Sequence, residues 1–156
     1  MVEFTHIHND RAAMVDISGK GDVSREATAS GKIFLRPETL EAIRNGTVVK
    51  GNVLATARVA ATLAVKNTSN LIPMCHPIPI SLVSVDFTEG NGFIEATVVV
   101  KMAGKTGVEM EALTGVSIAL LTVWDMVKSA EKDKDGQYPV TRITEIRVVE
   151  KKKGRA

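Results

Sequence analysis

The sequence has 156 residues, of which 20 are basic, 18 are acidic and one is a cysteine. This length is typical of a single domain, and we expect residues 1–156 to form one domain. The lone Cys75 excludes an intrachain disulfide and any zinc motif built on paired cysteines, which favours a reducing, cytoplasmic location. No secretory leader is apparent, and no apolar run approaches the roughly 18 residues of a membrane span. We therefore expect a soluble protein that makes no contact with a membrane.

The charge is distributed unevenly along the chain. Residues 152–156 are predicted to form a basic tail, and residues 1–150 hold 16 basic and 18 acidic side chains. Nucleic-acid-binding proteins usually present an excess of basic residues, and single-strand binders add aromatic residues for stacking. Only 4% of the residues are aromatic, whereas 36 are alanine or valine. The composition therefore argues against a nucleic-acid partner and predicts a core of small, closely packed side chains.

The first third of the chain predicts an arm, a strand and a short helix. Residues 1–23 show no clear hydrophobic period and are predicted to be an extended arm. A strand is predicted over Arg25–Arg36. Pro37 suits the first turn of a helix, and Asn45–Gly46 can adopt the left-handed geometry that ends one.

A second helix is predicted to begin after Asn52, whose side chain can cap it. Small apolar residues then recur at helical spacing and form a narrow face that can lie close to a sheet. They are Val53, Ala57, Ala60, Ala61 and Ala64. The polar cluster Thr68-Ser69-Asn70 is predicted to end this helix.

The second half of the chain predicts a hairpin, a long helix and a final strand. Two β-rich runs, Ile80–Thr88 and Phe93–Met102, are joined by Glu89-Gly90-Asn91-Gly92, which is a hairpin signature. A long helix is predicted from about Gly107 to Lys132, and a last strand over about Arg142–Lys151. The order β-αα-ββ-α-β predicts an α+β, ferredoxin-like fold, in which helices cover one face of a four-stranded antiparallel sheet.

The proline-rich segment Ile72–Pro79 surrounds an adjacent cysteine and histidine. Its three prolines restrict the backbone and lower the entropy lost in holding Cys75 and His76 in place. One interpretation is a rigid connector with a buried thiol and a hydrogen-bonded imidazole. A zinc site would need His6 and His8, but their spacing to this segment matches no known ligand pattern. A nucleophilic Cys–His pair is also disfavoured, because adjacent side chains seldom converge for proton transfer.

The segment Gly104–Glu111 lies between a predicted strand and a predicted helix, where a phosphate-binding loop could occur. A P-loop needs a glycine five residues before its final Gly-Lys, and that position is Val99. Glu109 and Glu111 near the helix start can simply favour the positive end of the helix dipole. A role in chemistry remains the alternative.

Asp125 is the third candidate, because it lies within an otherwise apolar stretch of the long helix. It forms either an ordinary ion pair with Lys128 at i+3 or an acid/base pair whose pKa values are set by partial burial and mutual charge. Helix geometry puts Glu111 and Asp125 on one face but about 21 Å apart along the axis. If both are functional, a second copy of the chain is expected to complete the site.

Several motifs together resemble the molybdenum cofactor biosynthesis protein C (MoaC) family, the cyclic pyranopterin monophosphate synthases. The similarity runs from about Thr5 to Lys151. The motifs are Met14-Val15-Asp16-Ile17-Ser18, Lys50-Gly51-Asn52-Val53, Ala55-Thr56-Ala57-Arg58, Leu71-Ile72-Pro73-Met74-Cys75-His76-Pro77 and Lys105-Thr106-Gly107-Val108-Glu109-Met110-Glu111-Ala112-Leu113-Thr114.

The resemblance implies a lyase that acts on the cyclic dihydro-GTP intermediate made by a preceding radical enzyme. It would rearrange this small molecule to a pyranopterin and form a cyclic phosphate with release of pyrophosphate. No metal or redox cofactor is implied. The family assembles as a homohexamer, a trimer of dimers with active sites at dimer interfaces, which agrees with the helix-distance argument.

The resemblance also implies which residues form the site. Asp125 and Lys128 match the acid/base pair of the family. Arg25 matches a basic residue that can cross the interface, and Lys151 is the best match to a C-terminal site lysine, although the register among three consecutive lysines is ambiguous. The other matching positions, which contact substrate, are Lys50, Lys66, Met74, Cys75, His76, Glu109, Met110 and Glu111.

Two alternatives come from other classes of protein. A nonenzymatic ferredoxin-like module that binds a protein partner would not need Asp125 or Lys128. A nucleotide-binding regulatory module would bind GTP without turnover.

Overall fold

The computed structural model describes residues 7–8 and 11–154. In chain order the elements are β1 (Ile7–His8), β2 (Arg11–Ala12), β3 (Val23–Phe34), α1 (Pro37–Arg44), α2 (Val53–Lys66), α3 (Thr68–Leu71), β4 (Leu82–Gly90), β5 (Phe93–Gly104), α4 (Glu109–Glu131) and β6 (Arg142–Lys153). The predicted N-terminal arm, residues 1–23, includes β1 and β2, which pair with each other antiparallel. Part of that arm, residues 1–6 and 9–10, lies outside the described residues.

Four strands form the main sheet in the order β4-β5-β3-β6, and every neighbouring pair is antiparallel. The first and last of these strands in the chain, β3 and β6, are neighbours in the sheet, and the β4–β5 hairpin lies beside them. This is the ferredoxin-like arrangement that the element order predicts, and the predicted fold class is confirmed. It brings the end of β6 next to the start of β3, because Lys153 is opposite Arg25.

Helices α2 and α4 pack on one face of the sheet, and small side chains let them approach closely. Along β5 every second residue is buried, as expected for a sheet covered on one side, whereas β3 departs from this alternation at Ser30, which is buried between Ala29 and Gly31. Gly115 of α4 lies at such a close contact, since a methyl group there would lie 2.8 Å from Val65 of α2 and 3.1 Å from Val98 of β5. The fully buried alanines are Ala29, Ala57, Ala61, Ala96, Ala112 and Ala119.

Most element boundaries follow the local signals in the sequence. The Asn52 side chain accepts a hydrogen bond from the Ala55 amide at the start of α2, and Gly92 has a φ of 80° in the hairpin turn. The strands depart from their predicted bounds: β3 begins at Val23 and β4 at Leu82, rather than at Arg25 and Ile80. At the other end, β5 continues to Gly104 and β6 to Lys153, rather than to Met102 and Lys151. Lys152 pairs there with Glu26 and Glu150, each at 3.1 Å, which holds part of the predicted tail in the sheet.

Among the described residues, one helix, α4, is long and apolar enough to cross a membrane, judged by length and composition alone. Half of its most apolar window is buried inside the fold. Core helices of soluble proteins pass the same test, so this feature is weak evidence for a membrane.

Glu131, the last residue of α4, is fully buried, although a buried carboxylate is costly unless it is hydrogen-bonded. It accepts hydrogen bonds from the Arg36 amide at 3.1 and 3.3 Å and from the Thr141 hydroxyl. Arg36 precedes α1 and Thr141 precedes β6. The carboxylate therefore ties the end of α4 to two other junctions of the fold.

We expect Glu131→Ala to lower the free energy of unfolding by about 3 kcal/mol, because it leaves buried donors without an acceptor and opens a cavity. Glu131→Gln keeps one acceptor oxygen and should lose less. Urea denaturation of both variants measures the difference, with the exposed Glu150→Gln as the matched control. Equal midpoints for Glu131→Ala and wild type would show that these hydrogen bonds contribute nothing to stability.

Candidate active site

The predicted site residues fall into two groups at opposite ends of α4. Glu109 and Glu111 lie in its first turn, and Asp125 and Lys128 lie near its end. A rise of 1.5 Å per residue separates Glu111 from Asp125 by about 21 Å within one chain. Each group therefore has its own surroundings.

The first group lines a pocket of about 450 Å³, called here the Glu111 pocket. It is bounded by the start of α4, by the proline-rich loop and by a segment near the N-terminus. Its lining residues are Val15, Ile17, Lys20, Met74, Cys75, His76, Thr106, Gly107, Glu109, Met110 and Glu111.

The proline-rich loop reaches this pocket through a tight turn, in which the Cys75 amide donates to the Ile72 carbonyl at 3.0 Å. His76 Nε2 lies 2.9 Å from the Val15 carbonyl oxygen. A carbonyl oxygen only accepts, so Nε2 carries the proton in this hydrogen bond. The interpretation of His76 as a hydrogen-bonded imidazole agrees with this geometry, and the loop also forms a pocket wall.

Glu111 is buried in the pocket, with 4% of its surface exposed. Burial raises its pKa, a backbone hydrogen bond opposes the rise, and the nearby charge of Glu109 adds to it. Burial likewise raises the pKa of the Cys75 thiol, with a further contribution from Glu111. The pocket therefore favours protonated, neutral forms of both groups.

Glu109 has the opposite character. Burial acts to raise its pKa, but hydrogen bonding from Lys151 and the charges of Lys151 and Arg25 together lower it. The Lys151 ammonium contacts the Glu109 carboxylate directly. Among the three consecutive lysines, Lys151 is thus the one that faces this group, whereas Lys152 pairs with Glu26.

The second group joins Asp125 to two lysines. Lys50 Nζ lies 2.9 Å from Asp125 Oδ2, and Lys128 Nζ lies 2.7 Å from Asp125 Oδ1. Lys50 also donates to the Asp125 carbonyl oxygen at 2.7 Å. The loop between α1 and α2 supplies Lys50, so its contact with α4 depends on tertiary structure.

The electrostatics of this Lys50–Asp125–Lys128 cluster come from hydrogen bonding rather than burial. Hydrogen bonds from Lys128 and then Lys50 lower the pKa of Asp125 to about 2, and the hydrogen bond to Asp125 raises the pKa of Lys128. Because 57% of the Asp125 side chain is exposed, burial has the smallest effect on this pKa, and of the two causes that the acid/base interpretation named, mutual charge is the one that lowers it. The cluster thus places two lysine side chains around one carboxylate, and a cavity of about 320 Å³ opens beside Lys50.

Comparison with known proteins identifies the family. The MoaC family profile matches residues 14–154. A protein of Methanoregula boonei named "Probable cyclic pyranopterin monophosphate synthase" is 77% identical over 154 residues, which are 99% of each chain. The chain belongs to the MoaC family. Proteins with the same name from Methanosphaerula palustris (66% identical, 99% of this chain and 100% of that one) and Thermococcus kodakarensis (56%, 99% of each) are also similar.

Besides Lys151, which contacts Glu109 from outside the pocket lining, two residues that the MoaC resemblance implicates lie outside both the lining and the lysine cluster. Lys66 is exposed in the last turn of α2. Arg25 lies on β3, and its guanidinium is 3.5 Å from each of the Gly104 and Lys105 carbonyl oxygens. Within one chain, Arg25 therefore supports the loop that leads into α4.

Two features of the Glu111 pocket in this MoaC chain were not predicted from the sequence. The segment that contains Val15 and Ile17 forms a wall of the Glu111 pocket, and Lys105 contacts the same segment through the Ser18 carbonyl at 3.0 Å. Both belong to motifs that carry the family resemblance, but their roles depend on contacts between residues 87 positions apart. A pattern within a short stretch of sequence cannot predict a contact over such a separation.

The described residues contain no group of three or more histidine, cysteine, aspartate or glutamate side chains placed to hold a metal ion. The zinc alternative involved His6, which lies outside the described residues, and the side chain of His8, which is not described either.

Proposed function

We propose that this protein is a cyclic pyranopterin monophosphate synthase of molybdenum cofactor biosynthesis. As a lyase, it converts the cyclic dihydro-GTP intermediate to cyclic pyranopterin monophosphate and releases pyrophosphate. The observation that carries the proposal is the 77% identity, over 99% of both chains, to a relative of that name. The two clusters on α4 supply the charges that this reaction needs.

The Lys50–Asp125–Lys128 cluster suits the phosphate end of the substrate. A substrate hydroxyl attacks the α-phosphate, the bond to pyrophosphate breaks, and negative charge develops on the leaving group. Two ammonium groups within 3 Å of Asp125 can hold the phosphates and stabilise that charge. Asp125 keeps the two lysines together before the substrate binds.

The Glu111 pocket suits the ring end of the substrate, where rearrangement of the purine carbons requires proton transfers. Its groups have pKa values moved in opposite directions, because Glu111 is raised and Glu109 is lowered. Such a pair places a weaker acid, Glu111, and a stronger acid, Glu109, in one pocket, which suits proton transfers in both directions. His76 adds an imidazole to the same wall.

A site shared between two protomers would bring together the residue groups that lie at opposite ends of α4. The residues of one chain lie about 21 Å apart along the helix, so the proposal places the Glu111 pocket of one protomer against the lysine cluster of another. A homohexamer built as a trimer of dimers would provide such interfaces. The biosynthetic role supports a cytoplasmic location for this single-domain chain.

The direct test is anaerobic incubation of the purified protein with the cyclic dihydro-GTP intermediate, with chromatographic detection of the pterin product and an assay for pyrophosphate. We expect equal amounts of both products. Binding without either product would contradict the enzyme and favour the nucleotide-binding regulatory alternative. Light scattering in the same buffer measures the assembly, and a fully active monomer would contradict the shared site.

A further inference from the structure

A segment without regular secondary structure closes one side of the Glu111 pocket. Residues 14–20, called here the strap, precede β3, and Val15, Ile17 and Lys20 of the strap line the pocket. Two side chains from the rest of the fold hold it. His76 donates to the Val15 carbonyl at 2.9 Å, and Lys105 donates to the Ser18 carbonyl at 3.0 Å.

The strap is folded to accept these contacts. Asp16 Oδ1 accepts from the Ser18 amide at 2.8 Å and from the Ser18 hydroxyl at 2.6 Å, which makes a tight local turn. The charges of Lys105 and His76 both act to lower the pKa of Asp16, after the larger effect of the Ser18 hydrogen bonds. The strap therefore presents two carbonyl oxygens to the side chains that hold it, and the Asp16–Ser18 turn lies between these two contacts.

We propose that Lys105 is a positioning residue that fixes the strap as a wall of the substrate pocket. It acts through the Ser18 carbonyl rather than on the reacting atoms. This inference rests on the proposed function, and it adds to that function a residue and a segment outside the predicted site. Without the hydrogen bond from Lys105, the strap must become ordered each time the substrate binds. The entropy lost in that ordering weakens substrate binding.

The experiment compares Lys105→Met and Lys105→Arg with the matched control Lys101→Met. Lys101 is an exposed lysine on β5 that pairs with Glu26 of β3. We expect Lys105→Met to raise KM about tenfold, as for the loss of one charge-assisted hydrogen bond, with kcat changed less than about twofold. Lys105→Arg keeps a donor and should restore most of the affinity. Lys101→Met should match wild type.

Amide hydrogen exchange over residues 14–20, measured without substrate, provides a readout that is independent of turnover. Lys105→Met should raise exchange in this segment, and Lys101→Met should not. Unchanged exchange in Lys105→Met, or a loss of kcat at constant KM, would overturn the positioning role. If wild type makes no product, the proposed function fails, and the exchange result alone decides whether Lys105 holds the strap.

Discussion

Asp125→Asn should lower kcat/KM by a factor of about 100 to 10,000, with the fold and the oligomer unchanged. The substitution keeps the shape of the side chain and removes the charge that holds Lys50 and Lys128 at 2.9 and 2.7 Å. Without the carboxylate the two ammonium groups repel each other, so the phosphate-binding geometry is lost. Steady-state kinetics on the cyclic dihydro-GTP intermediate measure the effect.

The pH dependence of this loss follows from the pKa of Asp125, which is about 2. The carboxylate stays ionised as pH falls from 9 to about 5 and becomes protonated only near its pKa. The ratio of wild-type to Asp125→Asn kcat/KM should therefore be constant across this window. An acidic limb near pH 6 that disappears in Asp125→Asn would contradict the lowered pKa.

Two further variants test this prediction, one as a control and one at a second residue of the cluster. Asp86→Asn changes an exposed aspartate on β4 that accepts from Ser84 at 3.2 Å, and it should keep wild-type kinetics. Lys128→Ala should lose turnover as Asp125→Asn does, since it removes one of the two charges. If both cluster variants keep wild-type rates, the assignment of catalysis to Asp125 and Lys128 is wrong.

Mixing two inactive variants is expected to restore activity. In the proposed shared site, Glu111→Gln should damage only the ring end, and Asp125→Asn should damage only the phosphate end. In a mixed dimer with shared sites, one site carries both substitutions and the other carries neither. Random exchange of subunits should therefore recover about a quarter of the wild-type activity.

The mixing experiment needs subunit exchange, which brief treatment with mild denaturant followed by dilution can provide. Each variant treated alone is the control and should stay inactive. Light scattering before and after exchange verifies that the oligomer has re-formed. An active wild-type control together with no recovery in the mixture would mean that both ends of the site come from one chain.

Local signals in the sequence were enough to predict most of the fold. Pro37 at the start of α1 and the Asn52 cap of α2 mark helix starts by chemistry that acts within one turn. Alternating burial along β5 follows from the two-residue period of a strand. The end of β6 was misplaced by two residues, because pairing of Lys152 with Glu26 joins positions 126 residues apart.

The sequence supplies the residue types of the candidate site but not their arrangement. The motifs around Cys75-His76, Glu109–Glu111 and Asp125 carried the family resemblance. The ion pair of Asp125 with Lys128 follows from i,i+3 spacing on one helix, whereas the contact with Lys50 comes from a loop 75 residues earlier. The pKa of Asp125 depends on both, so spacing alone did not indicate how far it is lowered.

The composition determined that the core is built from small side chains. The helical spacing of the apolar residues determined that one long helix has charged groups near both ends. Those properties depend on the order of residues along one element, and α4 keeps its two groups about 21 Å apart in any context. Only the tertiary structure decided which partners each group meets: Lys151 beside Glu109, Lys50 beside Asp125, and the strap across the Glu111 pocket. Hydrogen bonds and ion pairs act over about 3 Å, and the fold alone brings distant parts of the chain that close.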